Sequence, residues 1–325
     1  MTRLLLLLSL AFSLHAQFSW RGFSGPGYVY FGFDGSGPPA DPTSTAGQPN
    51  IFTTATGTDG ITWKNAGGSW SDYLSGSPLS GTLYPYQINA PDCLVINSTL
   101  TCHVASAGDS NQSTVTWIIG QANAATGAVS TIASINWVGA ISGVQVCFAG
   151  GWVRNSDSSV YVDGSGFVHL YVPCSTSGQN AFKMYETHSL ATDLVSWSAP
   201  SAVTVTSLTN VYDPQVYLIG STFYMWFKDA AGKFIDLASS STLAGAYTLV
   251  YSGNWAGWGS GFEGVFAYPQ VGGTGWFLIF EAYTTTHQMY YSTCSTNDFT
   301  ACTWTSKLPW SEDALYRHGS ILYLP

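Results

Sequence analysis

The sequence is short of charge: only 8% of its 325 residues are charged, and 9 Lys and Arg face 18 Asp and Glu, for a formal net charge of −9. So few cations exclude the basic stripe that a nucleic-acid partner requires. Long apolar runs are as scarce. The one present, Leu4 to Phe12, follows Thr2-Arg3, is too short to span a bilayer, and gives way to small and polar residues ending at Ala16. That pattern reads as a signal peptide over residues 1–17, which makes the mature chain secreted or periplasmic and leaves it without a membrane partner. No two cysteines have C-x-x-C spacing, which argues against a thiolate metal site, and no Gly-x-Ser-x-Gly elbow occurs in a strand-to-helix context. Six cysteines in an exported chain read instead as three disulfides. Cys93 and Cys102 lie symmetrically about Asn97-Ser98, so a two-residue hairpin there would set them face to face. Cys294 with Cys302, and Cys147 with Cys174, are the remaining short-loop pairings.

What the chain has in abundance is glycine, at 35 residues, and aromatic side chains, a mixture suited to many short strands and tight turns. One strand pattern recurs five times at intervals of roughly fifty to sixty residues, the period of a propeller or array. The second strand of each unit is clearest: Tyr28 to Phe33, Leu100 to Ala107, Phe167 to Pro173, Thr222 to Lys228 and Trp276 to Tyr283. Third strands follow at Ile51 to Thr56, Val115 to Gln121, Phe182 to Thr187, Phe234 to Ser239 and Met289 to Thr293. First strands precede four of them, at Cys93 to Ile96, Ser159 to Val162, Gln215 to Ile219 and Val265 to Tyr268. The fifth unit lacks its first strand, and the chain ends on an orphan one, His318 to Leu324. The predicted fold is therefore all-β, one domain over residues 18–325. It is a five-bladed β-propeller closed by pairing of the C-terminal strand with the N-terminal blade strands, which removes free sheet edges. The chain is expected to be a monomer. Asp-to-Trp turns, Asp59 to Trp63, Asp193 to Trp197 and Asp298 to Trp304, suit outer blade edges, with the indoles packed between sheets.

First strands of a propeller line its channel, so residues at their leading ends converge. Read in order these are Asp92, Asp157, Asp213, Glu263 and His318, and Glu263 is one of only four glutamates in the chain. Acidic residues are poor strand formers, so their recurrence at equivalent corners points to chemistry. Mutual repulsion and desolvation in a funnel would raise at least one carboxyl pKa into the range of a general acid. Glu186 and Glu281 are placed toward strand ends away from that funnel.

Three segments, Tyr212-Asp213-Pro214-Gln215-Val216, Phe262-Glu263-Gly264 and Arg317-His318-Gly319-Ser320, resemble motifs of glycoside hydrolase family 43. The resemblance implies a five-bladed propeller acting on arabinan- and xylan-type polysaccharide by inversion, with no cofactor required. It implies a general base Asp, a second Asp that tunes pKa and orientation, and a general acid Glu. By motif the last two are Asp213 and Glu263. The base is expected two blades before Asp213, where Ala90-Pro91-Asp92 offers Asp92, with Asp157 in the intervening blade as the rival. His318 resembles a histidine that in some relatives faces a channel cation, so a structural Ca2+ there is compatible with the resemblance. Arg317 is a candidate either for hydrogen-bonding a sugar hydroxyl or for capping a loop, and Trp152, Trp226 and Trp258 are candidates either for sugar stacking or for blade packing. The chain departs from the motifs in having Val265 where a proline is usual and Cys93 beside the candidate base. The competing readings are a carbohydrate-binding propeller that has lost turnover, and a related propeller glycosidase for another sugar.

Overall fold

The structure, a computed structural model, describes residues 27–34, 51–57, 64–69, 87–96, 99–107, 115–122, 129–136, 158–175, 182–191, 196–270, 274–284, 288–310 and 316–324. Before residue 137 and after residue 315, side chains are described only at Tyr28, Asp92, Cys93, Leu94, Ser320 and Ile321. The leader segment, Trp152, Asp157 and Cys147 lie outside the described residues, as do the side chains of Arg317 and His318.

The regular structure of the described residues is almost entirely strand. An N-terminal group comprises β1 (Gly27–Asp34), β2 (Ile51–Gly57) and β3 (Lys64–Ser69). Next come β4 (Gln87–Ile96), β5 (Thr99–Ala107), β6 (Val115–Ala122) and β7 (Val129–Asn136), then β8 (Ser159–Val162), β9 (Val168–Ser175), β10 (Phe182–His188) and β11 (Ser201–Val205). They are followed by β12 (Val211–Ile219), β13 (Thr222–Asp229), β14 (Phe234–Ser240) and β15 (Gly245–Tyr251). The last are β16 (Phe262–Pro269), β17 (Trp276–Ala282), β18 (Gln288–Cys294), β19 (Leu308–Pro309) and β20 (Tyr316–Leu324). Among the described residues no helix is long and apolar enough to cross a membrane.

Four sheets result: β20-β1-β2-β3, β4-β5-β6-β7, β16-β17-β18-β19, and an eight-stranded sheet, β12-β13-β14-β15-β11-β10-β9-β8. The last is two antiparallel runs of four joined at their outer edges by parallel pairing of β11 with β15, Val203 opposite Gly245 and Val205 opposite Tyr247. The innermost strands pack on one another in cyclic order: β4 on β8, β8 on β12, β12 on β16, β16 on β20, and β20 back on β4. The termini meet as expected, with β20 antiparallel to β1 from Gly27 opposite Leu324 to Asp34 opposite Tyr316. That pairing gives each terminal strand a hydrogen-bonding partner where an open edge would otherwise stand.

The second and third strands run within two residues of their expected bounds, because their aromatic and β-branched runs are strong strand signals. The fourth strand of each group, β3, β7, β11, β15 and β19, carries no such run and is not anticipated. β8 has the bounds expected of it, Ser159–Val162, whereas the other four innermost strands begin earlier than expected. β4, β12 and β16 each continue through a bulge, between Asn89 and Asp92, Tyr212 and Gln215, and Glu263 and Phe266. Bulges tolerate residues that break a regular ladder, here Pro91 and Pro214, which have no N–H to donate.

Large aromatic clusters fill the space between sheets. Trp226, Leu237, Leu278, Phe280 and Phe299 form one, with Trp255, Trp258 and Trp304 packed against it. Trp304, at the end of the Asp298 turn, meets Trp226 edge-on at 5.6 Å, the packing role expected for such turns. Cys294 and Cys302 are bridged with Cα atoms 5.4 Å apart. Cys93 and Cys174 each take part in a disulfide, and Cys93 stands opposite Cys102 in the β4–β5 register, with Ile96 opposite Thr99 as a two-residue turn demands. Opening the Cys294–Cys302 bridge with two serines should lower stability by about 2.5 kcal/mol in a urea titration, the loop-closure value for so short a loop.

Candidate functional site

The bulges decide where the acidic side chains go. Aligned on them, Glu263 is equivalent to Tyr212 and Asn89, Asp213 to Ala90 and Gly264, and Asp92 to Gln215 and Phe266. Asp92 therefore sits further along its strand than Asp213 and Glu263, rather than at the same corner as the sequence suggests.

Asp213 and Glu263 are brought together. The bulge gives Asp213 a positive φ of 50°, a left-handed conformation that Asp tolerates better than most residues but that still stores strain. That turn aims the carboxylate at the neighbouring strand, where its Oδ2 accepts the Gly264 N–H at 2.8 Å. Asp213 thus fixes the backbone immediately after Glu263. The Glu263 Oε2 accepts from Lys228 Nζ at 2.7 Å, with both side chains largely buried. Lys228, which sequence reasoning did not single out, stands opposite Tyr212 in the β12–β13 register. Its ammonium lies 4.0 Å from the centroid of the Tyr283 ring and 5.5 Å from that of Tyr212. Burial pulls the Lys228 pKa down, but the charges of Glu263 and Asp213 outweigh it and hold the amine above its ordinary value. Asp213, Lys228 and Glu263 form one electrostatic unit.

Glu281 corrects an expectation. Far from lying away from the funnel, it stands directly opposite Glu263 in the β16–β17 register and is fully buried. Directly opposed residues of an antiparallel pair share a face, so a second carboxyl group flanks Glu263.

Asp92 is 5% exposed and is held from three strands. Its Oδ2 accepts the Val160 N–H of β8 at 2.8 Å, and the side chains of Gln215 (β12) and Ser320 (β20) hydrogen-bond to it as well. Ser320 Oγ in turn accepts the Cys93 N–H at 2.8 Å. Burial outweighs these bonds and pushes the Asp92 carboxyl up to about 7. Gln215 reaching Asp92 from an equivalent register position is what packing of the innermost strands at one level requires.

The two described tryptophans proposed for sugar stacking are both engaged in packing. Trp226 has no exposed surface and meets Tyr251, Trp255, Phe299 and Trp304, so neither indole face is open to a ligand. Trp258 is part-exposed, with one face stacked on Phe280 at 4.8 Å and its Nε1 donating to the Thr305 carbonyl. Arg317 and His318 lie inside β20, which begins at Tyr316 rather than at His318.

No family model matches the sequence, and no curated protein matches it. Solved structures do. A thermostable family-43 glycoside hydrolase superposes with a TM-score of 0.59 at 13% identity, over 92% of this chain and 98% of its own. A family-43 β-xylosidase/α-arabinofuranosidase from a compost microbial metagenome, in complex with xylotriose, gives 0.56 at 12% identity, over 89% and 93%. An exo-β-1,3-galactanase from Phanerochaete chrysosporium with β-1,3-galactotriose gives 0.57 at 14% identity, over 90% of this chain and 61% of that one. The chain thus has the fold of the family-43 glycoside hydrolases.

Proposed function

We propose that the chain is a glycoside hydrolase, built as a five-bladed β-propeller, that cleaves α-L-arabinofuranosides or β-xylosides of plant-type polysaccharide by inversion. The cyclic packing of five innermost strands supports the blade count, with the edge-joined eight-stranded sheet counted as two blades. The observation that carries the reading is the Asp213–Gly264 bond beside Glu263. It is a strained, buried carboxylate spent on orienting another carboxylate, and strain of this kind concentrates at active sites. The sugar class follows the β-xylosidase/α-arabinofuranosidase among the similar structures.

In this reading Glu263 is the general acid, Asp92 the general base and Asp213 the positioning residue. Asp92, at about 7, is matched to a base working near neutrality. It must be ionised to act, so kcat/KM should rise with pH through about 7 on its acid limb. The two-carboxylate chemistry takes no cofactor, and no step is attached to a calcium ion in the channel. The polysaccharide partner and the exported location are part of the same proposal.

A second reading, a carbohydrate-binding propeller without turnover, is favoured by one observation: the register equivalent of Asp213 in β4 is Ala90, and Asp92 lies deeper. Hydrolysis of aryl α-L-arabinofuranosides, β-xylosides, arabinan, arabinoxylan and β-1,3-galactan by wild type and Glu263→Gln separates the two. The glycosidase reading expects turnover that falls 10²- to 10⁴-fold in the variant. Binding of these polymers with no turnover by wild type would leave the binding module.

A further inference from the structure

One cluster of ligating side chains lies outside this site. In the β9–β10 register His169 stands directly opposite His188, and Glu186, two residues before His188, lies on the same face of β10. The Glu186 Oε1 is 2.8 Å from His169 Nδ1 and 3.0 Å from His188 Nδ1. The three ligand atoms lie within 4.8 Å of one another, the one such group of three among the described residues. Two donors that each sit at roughly 2.1 Å from one metal are about 3.0 to 3.4 Å apart, so small side-chain rotations would open this group around an ion.

A second observation points the same way. The far nitrogen of His169, Nε2, faces Asp163 Oδ2 at 3.5 Å, and Asp163 is itself fixed by the Ser165 and Phe167 N–H groups at 2.8 and 2.9 Å. A carboxylate on the outer nitrogen sets the tautomer and turns Nδ1 toward a metal, the usual support of a ligating histidine. Glu186 is buried at 2% exposure, whereas the His188 side chain is 40% exposed, so the site has anchored inner ligands and an outer one open to solvent.

We infer that His169 Nδ1, Glu186 Oε1 and His188 Nδ1 form a binding site for a borderline divalent cation of the Zn2+ class, with Asp163 orienting His169. Two imidazoles and one carboxylate, with a position left to water, is a donor set such ions favour over Ca2+, which takes oxygen ligands. The site ties β8, β9 and β10 together at the β8–β9 turn. Its neighbour Val160 carries the N–H that holds Asp92, so an ion here braces the support of that residue without entering the reaction. The inference does not depend on the glycosidase reading.

The test is metal retention by the full chain. Purified protein is stripped with chelator, equilibrated with Zn2+ or Co2+ in the presence of millimolar Ca2+, desalted and assayed for bound metal, with melting followed in parallel. Wild type should retain one Zn2+ per chain, give the visible absorption of four- or five-coordinate Co2+, and melt higher with Zn2+ than without. His188→Gln, at a part-exposed position, should lose retention and the melting shift, and Asp163→Asn should weaken Zn2+ binding 10- to 100-fold. If wild type retains no Zn2+, or if His188→Gln retains as much, the cluster is a hydrogen-bonded clamp on Glu186 and the inference fails.

Discussion

Lys228→Met should destabilise the protein by about 3 to 5 kcal/mol at pH 8, a larger loss than a surface ion pair could produce. The magnitude follows from what is left behind. Glu263 and Asp213 remain largely enclosed, and the cation whose charge both feel is gone. A carboxylate in that position is easier to protonate in the folded chain than in the unfolded one. The folded state then binds more protons between the unfolded carboxyl range and the raised one, so stability falls as pH rises through that window. The loss should therefore be smaller at pH 5 than at pH 8, as read by urea midpoints at the two pH values. Adding Glu263→Gln to Lys228→Met removes the stranded charge and should recover most of the loss at pH 8. A pH-independent loss carried unchanged into the double variant would mean that Lys228 acts through packing against Tyr212 and Tyr283 alone.

How far these features could be read in advance depends on the kind of signal each leaves. Strands such as Trp276–Ala282 are written as runs of aromatic and branched residues that pack on both faces, and such a continuous run is plain in the sequence. The meeting of β20 with β1 was legible because an orphan strand and a missing one call for each other. Edge strands left no trace: Lys64–Ser69 and Leu308–Pro309 have no alternation, and their pairing is decided by the strand beside them.

Within the site, Asp213 and Glu263 were found from short motifs, while the level of Asp92 was not. A bulge shifts register by a residue that nothing in the local composition marks, so Ala90-Pro91-Asp92 and Asp213-Pro214-Gln215 look alike until the ladder is seen. Lys228 and Glu281 were missed for a related reason. Each lies on a second strand: cross-strand register places Glu281 opposite Glu263, and packing of one sheet on the next brings Lys228 to it. Glu186 was set aside from the funnel residues; its partner His169 is brought opposite His188 only by the β9–β10 pairing, although Glu186-Thr187-His188 did carry the two-residue spacing of one strand face.

Asp92→Asn should separate stability from turnover more sharply than any other substitution. The carboxyl is raised from 3.8 to about 7 because burial opposes its charge. In the unfolded chain the same group ionises near 3.8, so from there to about 7 the folded protein alone keeps the proton and stability declines with rising pH. Above about 7 both states are ionised and the full penalty stands, at most about 4 kcal/mol for a shift of this size. Asparagine is nearly isosteric, keeps an oxygen for the Val160 N–H and carries no charge. The variant should accordingly be more stable than wild type at pH 8 and equal to it below pH 4, in denaturant titrations across that range. If Asp92 is the base, the same variant loses 10²- to 10⁴-fold in kcat and with it the acid limb near pH 7. Parallel stability curves for the two proteins would show that Asp92 is not the buried group that titrates. A stabilised variant with unchanged turnover would move the base to another residue while leaving the electrostatic account of Asp92 intact.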